Sequence, residues 1–238
     1  MRVRTLASLV ALSLALSAGP VLAKENISKV FGGITAEEGS EYGSLDSVNG
    51  GITIGDNAVV RKAETVNGGI RVGERARVGS ADTVNGGIVL DREAVAGDLS
   101  TVNGAIKLGE GVQVQDDVET VNGGIRLAAG ARIGGGIDSV NGGIHMTRAV
   151  VAGDIENVNG DLTLEDGSVV EGSIRYRKPH GWNWSGRRDP RVVIGANAEV
   201  KGEMVFEREV ELFVHETAKV GKITGATAQR YTGNKPPL

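Results

Sequence analysis

AETVNGGIRVGERARVGSADTVNGG, residues 63–87, opens and closes on nearly the same letters. TVNGG stands at Thr65–Gly69 and again at Thr83–Gly87, and relatives of it begin at Ser47, Thr101, Thr120, Ser139 and Asn157. The valines fall at 48, 66, 84, 102, 121, 140 and 158, in steps of 18, 18, 18, 19, 19 and 18 residues. A degraded copy, Val30-Phe31-Gly32-Gly33-Ile34, precedes them by one more step. A short fixed period means stacked units, each too small to bury a core alone.

Within one unit the apolar residues pair at i, i+2, as in Ile70/Val72 and Ala76/Val78. That is strand alternation, and no helical stripe competes with it. At about 3.3 Å per residue, 18 residues close a loop of three sides, and successive loops stack about 4.8 Å apart through parallel ladders. The spacing therefore predicts an all-β fold: a single-stranded triangular β-solenoid, or parallel β-helix, of about 18 residues per coil. Val66, Val72 and Val78, six apart, are expected one on each side.

In the repeat motif the valine is expected to point inward and the asparagine outward. Asn-Gly and Gly-Gly accept positive φ, which suits a tight corner. Asn49, Asn67, Asn85, Asn103, Asn122, Asn141 and Asn159 should stack into a side-chain amide ladder. The two 19-residue steps place their extra residue before the motif, as bulges at one corner. The apolar residue three before each motif valine, from Leu45 to Ile155, survives them.

The composition agrees. The 238-residue chain has no cysteine, 37 glycines and 3% aromatic residues, so its core must be aliphatic. Residues 1–23 read as a cleaved signal peptide: Arg2 and Arg4, an apolar run from Leu6 to Ala18, and Val21-Leu22-Ala23 as the cleavage site. The mature product would be periplasmic or secreted, without disulfides, and no later segment is apolar enough to span a bilayer. The solenoid is expected over 24–176 and 191–226, with a basic aromatic insert loop at 177–190 and a flexible tail at 227–238.

The C-terminal run VVIGANAEVKGEMVFEREVELFVHETAKVGKI, residues 192–223, resembles the bactofilins, polymer-forming bacterial proteins built on a right-handed triangular β-helix. The TVNGGI stretches are similar to exported putative-adhesin β-helix domains. Together the resemblances cover residues 27–225. They imply a right-handed coil, self-association and a structural or adhesin-like role. The signal sequence departs from cytoskeletal bactofilins and moves the expected role to the cell envelope.

Enzymatic readings find little footing. The left-handed hexapeptide acyltransferases share the 18-residue coil and often use a histidine base. Here His145 sits at an outward strand position, and His215 has no evident orienting partner. A β-helix lyase or hydrolase needs converging carboxylates, with or without calcium. The carboxylates Asp46, Glu64, Asp82, Glu119, Asp138 and Glu156 form a single column, broken by Ser100. The sequence thus points to a non-enzyme with no catalytic residue, metal site or cofactor. A formal charge of −4 argues against nucleic acid.

The insert interrupts the monotony. Tyr176, Arg177, Lys178, Trp182, Trp184, Arg187 and Arg188 concentrate cations and both tryptophans of the chain. Either the loop folds back and buries its indoles, or it presents a surface for peptidoglycan, another glycan or a protein partner.

Overall fold

The computed structural model describes residues 25–178 and 188–237 of the chain. The export signal assigned to residues 1–23 lies outside them, as do Trp182, Trp184 and Arg187 of the insert. Among the described residues every ordered element is a strand, and every strand pairing is parallel. The chain winds as a β-solenoid of about eleven turns, a stack about 50 Å long at the usual strand spacing.

Each turn has three sides. The first sides form an eleven-stranded sheet that runs from Ile34–Ala36 through Ile70–Val72 to Ala228–Tyr231. The second and third sides share a 17-stranded sheet. In the early turns one nine-residue strand, such as Arg77–Asn85, bends around the corner between them. From Gln113 the strand is split into Gln113–Val114 and Val118–Asn122. The cause is the extra residue of the 19-residue steps: Gln115, Asp116 and Asp117 occupy a corner where the preceding turn has only Gly97 and Asp98.

The core is aliphatic and strictly phased. In one turn Ile70, Val72, Ala76, Val78, Ala81 and Thr83 point inward, none more than 5% exposed. Equivalent residues stack in register, Ile70 on Ile88 and Val72 on Leu90. The residues three before the motif valine, from Leu45 and Ala63 to Ile155, are all buried.

The motif valine, expected inside, is outside. Val48, Val66, Val84, Val102 and Val121 are 37% to 42% exposed, and Val66 does not share an inward column with Val72 and Val78. The inward place belongs to the preceding Thr or Ser. The phase set by Ala63 continues to Thr65, and the hydroxyl is not left unpaired: Thr65 Oγ1 donates to Gly50 O at 2.8 Å, and Thr83 to Gly68 O at 2.8 Å.

The glycines are also there for another reason than expected. In the motif copies only Gly32 has positive φ, at 93°. The left-handed residues lie one corner later, between the first and second sides: Asn57, Arg75, Glu93, Gly111, Gly130 and Arg148. What the first motif glycine supplies is absence of bulk. A Cβ on Gly86 would overlap the Gly68 carbonyl and stand 2.8 Å from Gly69 N. The second motif glycine is less confined, and Ala105 fills its place in one turn.

The C-terminal segment is not a free tail. Ala228–Tyr231 adds a last strand on Glu211–His215, pairing Leu212 with Ala228 and His215 with Tyr231. Beyond it, Pro237 O accepts a hydrogen bond from Arg191 Nη2. Val193, Phe213 and Tyr231 form a small outer cluster, and the Arg191 guanidinium lies 4.6 Å above the Phe213 ring. Among the described residues no helix is long and apolar enough to cross a membrane.

Candidate functional site

The corner that joins the third side of one turn to the first side of the next carries most of the distinctive chemistry. It holds the motif itself, and at Asp161 and the insert it is rebuilt. Asn67 Nδ2 donates to Asn49 Oδ1 at 3.0 Å, and the same bond recurs through Asn85, Asn103, Asn122, Asn141 and Asn159 at 2.9 to 3.0 Å. At the near end Phe31 stands where an asparagine would, and Asn49 Nδ2 turns to Val30 O at 3.4 Å. At the far end Arg208 Nη1 donates to Asn159 Oδ1 at 2.7 Å and to Val158 O at 2.9 Å. Nothing local in the sequence marks Arg208 for this role, because its partner is 49 residues away.

Beside the ladder, on the outer face of the third side, run two further columns. One is the exposed valines. The other is the carboxylates, with Asp46, Glu64, Asp82, Ser100, Glu119, Asp138 and Glu156 in register. Cations engage the second and the last carboxylate of the column. Lys62 Nζ lies 2.6 Å from Glu64, while Glu156 receives Arg175 at 2.9 Å and Arg177 at 2.7 Å. Those bonds, the Arg177 one foremost, hold Glu156 below the usual carboxylate range. In between, burial comes first and like charges follow. Burial, with Asp98 and Glu64, pushes Asp82 up to about 6, and burial, with Glu156 and Glu119, does the same to Asp138. Among the described residues no group of three or more His, Asp or Glu side chains is arranged to hold a metal ion.

The described flanks of the insert differ from the loop surface expected for them. Tyr176 is a core residue. Two positions after Ile174 it keeps the inward phase, packs on Phe206 with ring centroids 5.7 Å apart, and donates its hydroxyl to Gly160 O at 2.8 Å. Burial raises its pKa beyond any physiological range. Arg177 is engaged by Glu156, and the Lys178 amide donates to Glu207 at 3.4 Å. Arg188 Nη2 lies 2.5 Å from Asp161 Oδ2, whose other oxygen takes the Arg191 amide at 2.8 Å. The described cations of the insert are thus largely spent on holding its stem.

The histidines take separate environments. His215 is buried, with Nδ1 2.9 Å from Thr217 Oγ1 and its ring edge-on to Tyr231 at 5.1 Å, so it has the orienting partners the sequence did not reveal. His145 lies outward on the first side. Thr147 Oγ1 at 3.3 Å and Glu165 Oε2 at 3.4 Å both approach its Nε2. A relay needs the two partners on different ring nitrogens, so this trio is not arranged as one. No protein-family model, no curated protein and no solved structure matches this chain.

Proposed function

We propose that this chain is an exported, non-enzymatic β-solenoid with a structural, polymer-forming or adhesin-like role in the bacterial cell envelope. The observation that carries the reading is the uncharged lane on the third side. Valines 37% to 42% exposed run beside the amide ladder from Val48 to Val121, continued by Val30 and Phe31, which are 59% and 78% exposed. An apolar strip repeated at the strand spacing on a rigid rod favours contact with a surface of the same period, which a second copy supplies. The signal-like residues 1–23 and the resemblance to exported adhesin repeats support the envelope setting, while the resemblance to bactofilins supports self-association.

The test uses protein produced with residues 1–23 intact. Fractionation and intact mass should find a product beginning at Lys24 outside the inner membrane. Sedimentation should then show concentration-dependent association, weakened when Val66, Val84 and Val102 are replaced together by Thr. A full-length cytosolic product defeats the export reading, and a monomer at every concentration defeats the self-associating one.

A further inference from the structure

On the first side the outward column reads Arg71, Val89, Lys107, Arg126, His145, Thr163. Arg71 is neutralised by Asp91 at 2.9 Å. Lys107 and Arg126, in adjacent turns, have no ion pair or side-chain hydrogen bond among the described residues. They line a shallow groove of about 300 Å³ together with Ala105, Gly124, Gly143 and His145.

The groove sets backbone donors beside these cations. At the motif corner, Ile106, Ile125 and Ile144 donate their amides to Gly124, Gly143 and Asp161 of the next turn. The amides just before them, those of Ala105, Gly124 and Gly143, have no partner among the described residues. A row of three unspent backbone N–H donors therefore lies beside two unpaired cations, with small residues leaving the backbone open to approach. Asp161 closes the far end, and its carboxylate is already held by Arg188 and the Arg191 amide.

We propose that this groove binds a carboxylated polysaccharide, laid along the solenoid axis. Backbone N–H groups and cations recognise carboxylate and hydroxyl oxygens. The donors recur at the strand spacing of about 4.8 Å, which suits an extended chain of repeating anionic units. The floor is backbone, Gly and Ala over the buried Ile125 and Ile144, so it offers no open side-chain pocket of its own. A nucleic acid needs many phosphate contacts, and the carboxylate column on the adjoining side works against a long polyanion that strays from the groove. The inference is independent of whether the rods associate.

The experiment titrates the protein with polygalacturonate oligomers at low ionic strength, with maltodextrin and polyphosphate of matched length as comparators. Lys107→Gln with Arg126→Gln should weaken polygalacturonate binding at least about ten-fold, as expected for the loss of two charge-assisted contacts. Arg77→Gln with Arg132→Gln removes the same charge from the second side, and should change affinity by no more than about two-fold through screened, long-range effects. Circular dichroism should be the same for both variants. The proposal is overturned if the wild type ignores polygalacturonate, if both double variants weaken binding equally, or if polyphosphate or maltodextrin binds as tightly.

Discussion

Thr65 and Ile70 are joined by four residues, whereas Tyr176 and Val192, the equivalent pair at the insert, are joined by fifteen, and Phe206 and Leu212 by five. The two versions of one corner solve the same packing problem differently. In the short form backbone rests on backbone. The glycine leaves room for the carbonyl below, and a Thr hydroxyl satisfies that carbonyl from inside. In the long form rings fill the interior: Tyr176 stacks on Phe206, and its phenol makes the bond to Gly160 O that a threonine makes elsewhere. Arg208 then reaches back to the last ladder asparagine. From Thr to Tyr176 the carbonyl of the first motif glycine is kept while its donor changes; Ser139 departs from this, donating to Gly142 O of its own turn.

The sharpest way to break the short corner is Gly86→Val. With backbone atoms on every close side, the turn must open, and the loss should reach about 3–5 kcal/mol, at the exceptional end for one substitution. Gly69→Ala at the second motif position has its nearest obstacle at 3.1 Å and should cost less than about 1 kcal/mol. Denaturant melts of the two variants measure the difference, and equal midpoints would refute the close-approach account.

Tyr176→Phe examines the long corner. It keeps the ring stack and removes the phenol's bond to Gly160 O, a carbonyl that Asn157 Nδ2 still reaches at 3.3 Å, so the cost should be about 0.5–1.5 kcal/mol. A variant as stable as the wild type would mean that Asn157 alone satisfies the carbonyl.

The carboxylate column gives a smaller effect with a definite sign. Asp82 and Asp138 titrate at about 6 in the folded chain, above the ordinary value of about 4. Between those values the folded state holds protons that the unfolded chain has released. Their stabilising contribution is complete below about pH 4 and is lost as the pH rises through 6. Discounted for solvent screening, acidification from pH 7 to 5 should add about 1 kcal/mol in all. That corresponds to a melting temperature about 2–4 °C higher. Asp82→Asn with Asp138→Asn should flatten this part of the profile.

Least of all should come from Arg71→Ala. Its pair with Asp91, at 2.9 Å, leaves the arginine side chain 60% exposed, and such pairs contribute about 0–1 kcal/mol. A larger loss in the same melts would show that the outer faces are more tightly coupled than their exposure suggests.

The period, the strand alternation and the three-sided coil were legible because Ile, Val and Ala recur in phase at 18 residues. The error at Val66 came from ranking apolarity above phase: Ala63 already placed Thr65 inward, and only the carbonyl of Gly50 explains why a hydroxyl is welcome there. Tyr176 was legible by the same rule, two residues after buried Ile174, but its neighbours in the basic run drew it into the loop. Left-handed Arg75 and Glu93 were not legible, since neither residue type favours that conformation and the corner is imposed by the stacked turns. The groove amides and Arg208 depend on contacts between turns, which no local stretch of sequence records.

The amide ladder has one more property. Each of its seven side chains could point either way, yet one reversed member would set donor against donor on one side and acceptor against acceptor on the other. The column is therefore a chain of coupled two-state elements with only two low-energy arrangements. Its boundaries choose between them: the Val30 carbonyl can only accept, and the Arg208 guanidinium can only donate. Both select the same arrangement, so the amide dipoles add head to tail along the rod, with their negative end resting on a cation. A stack of nearly identical turns thereby acquires an electrical direction, as a helix does from its backbone.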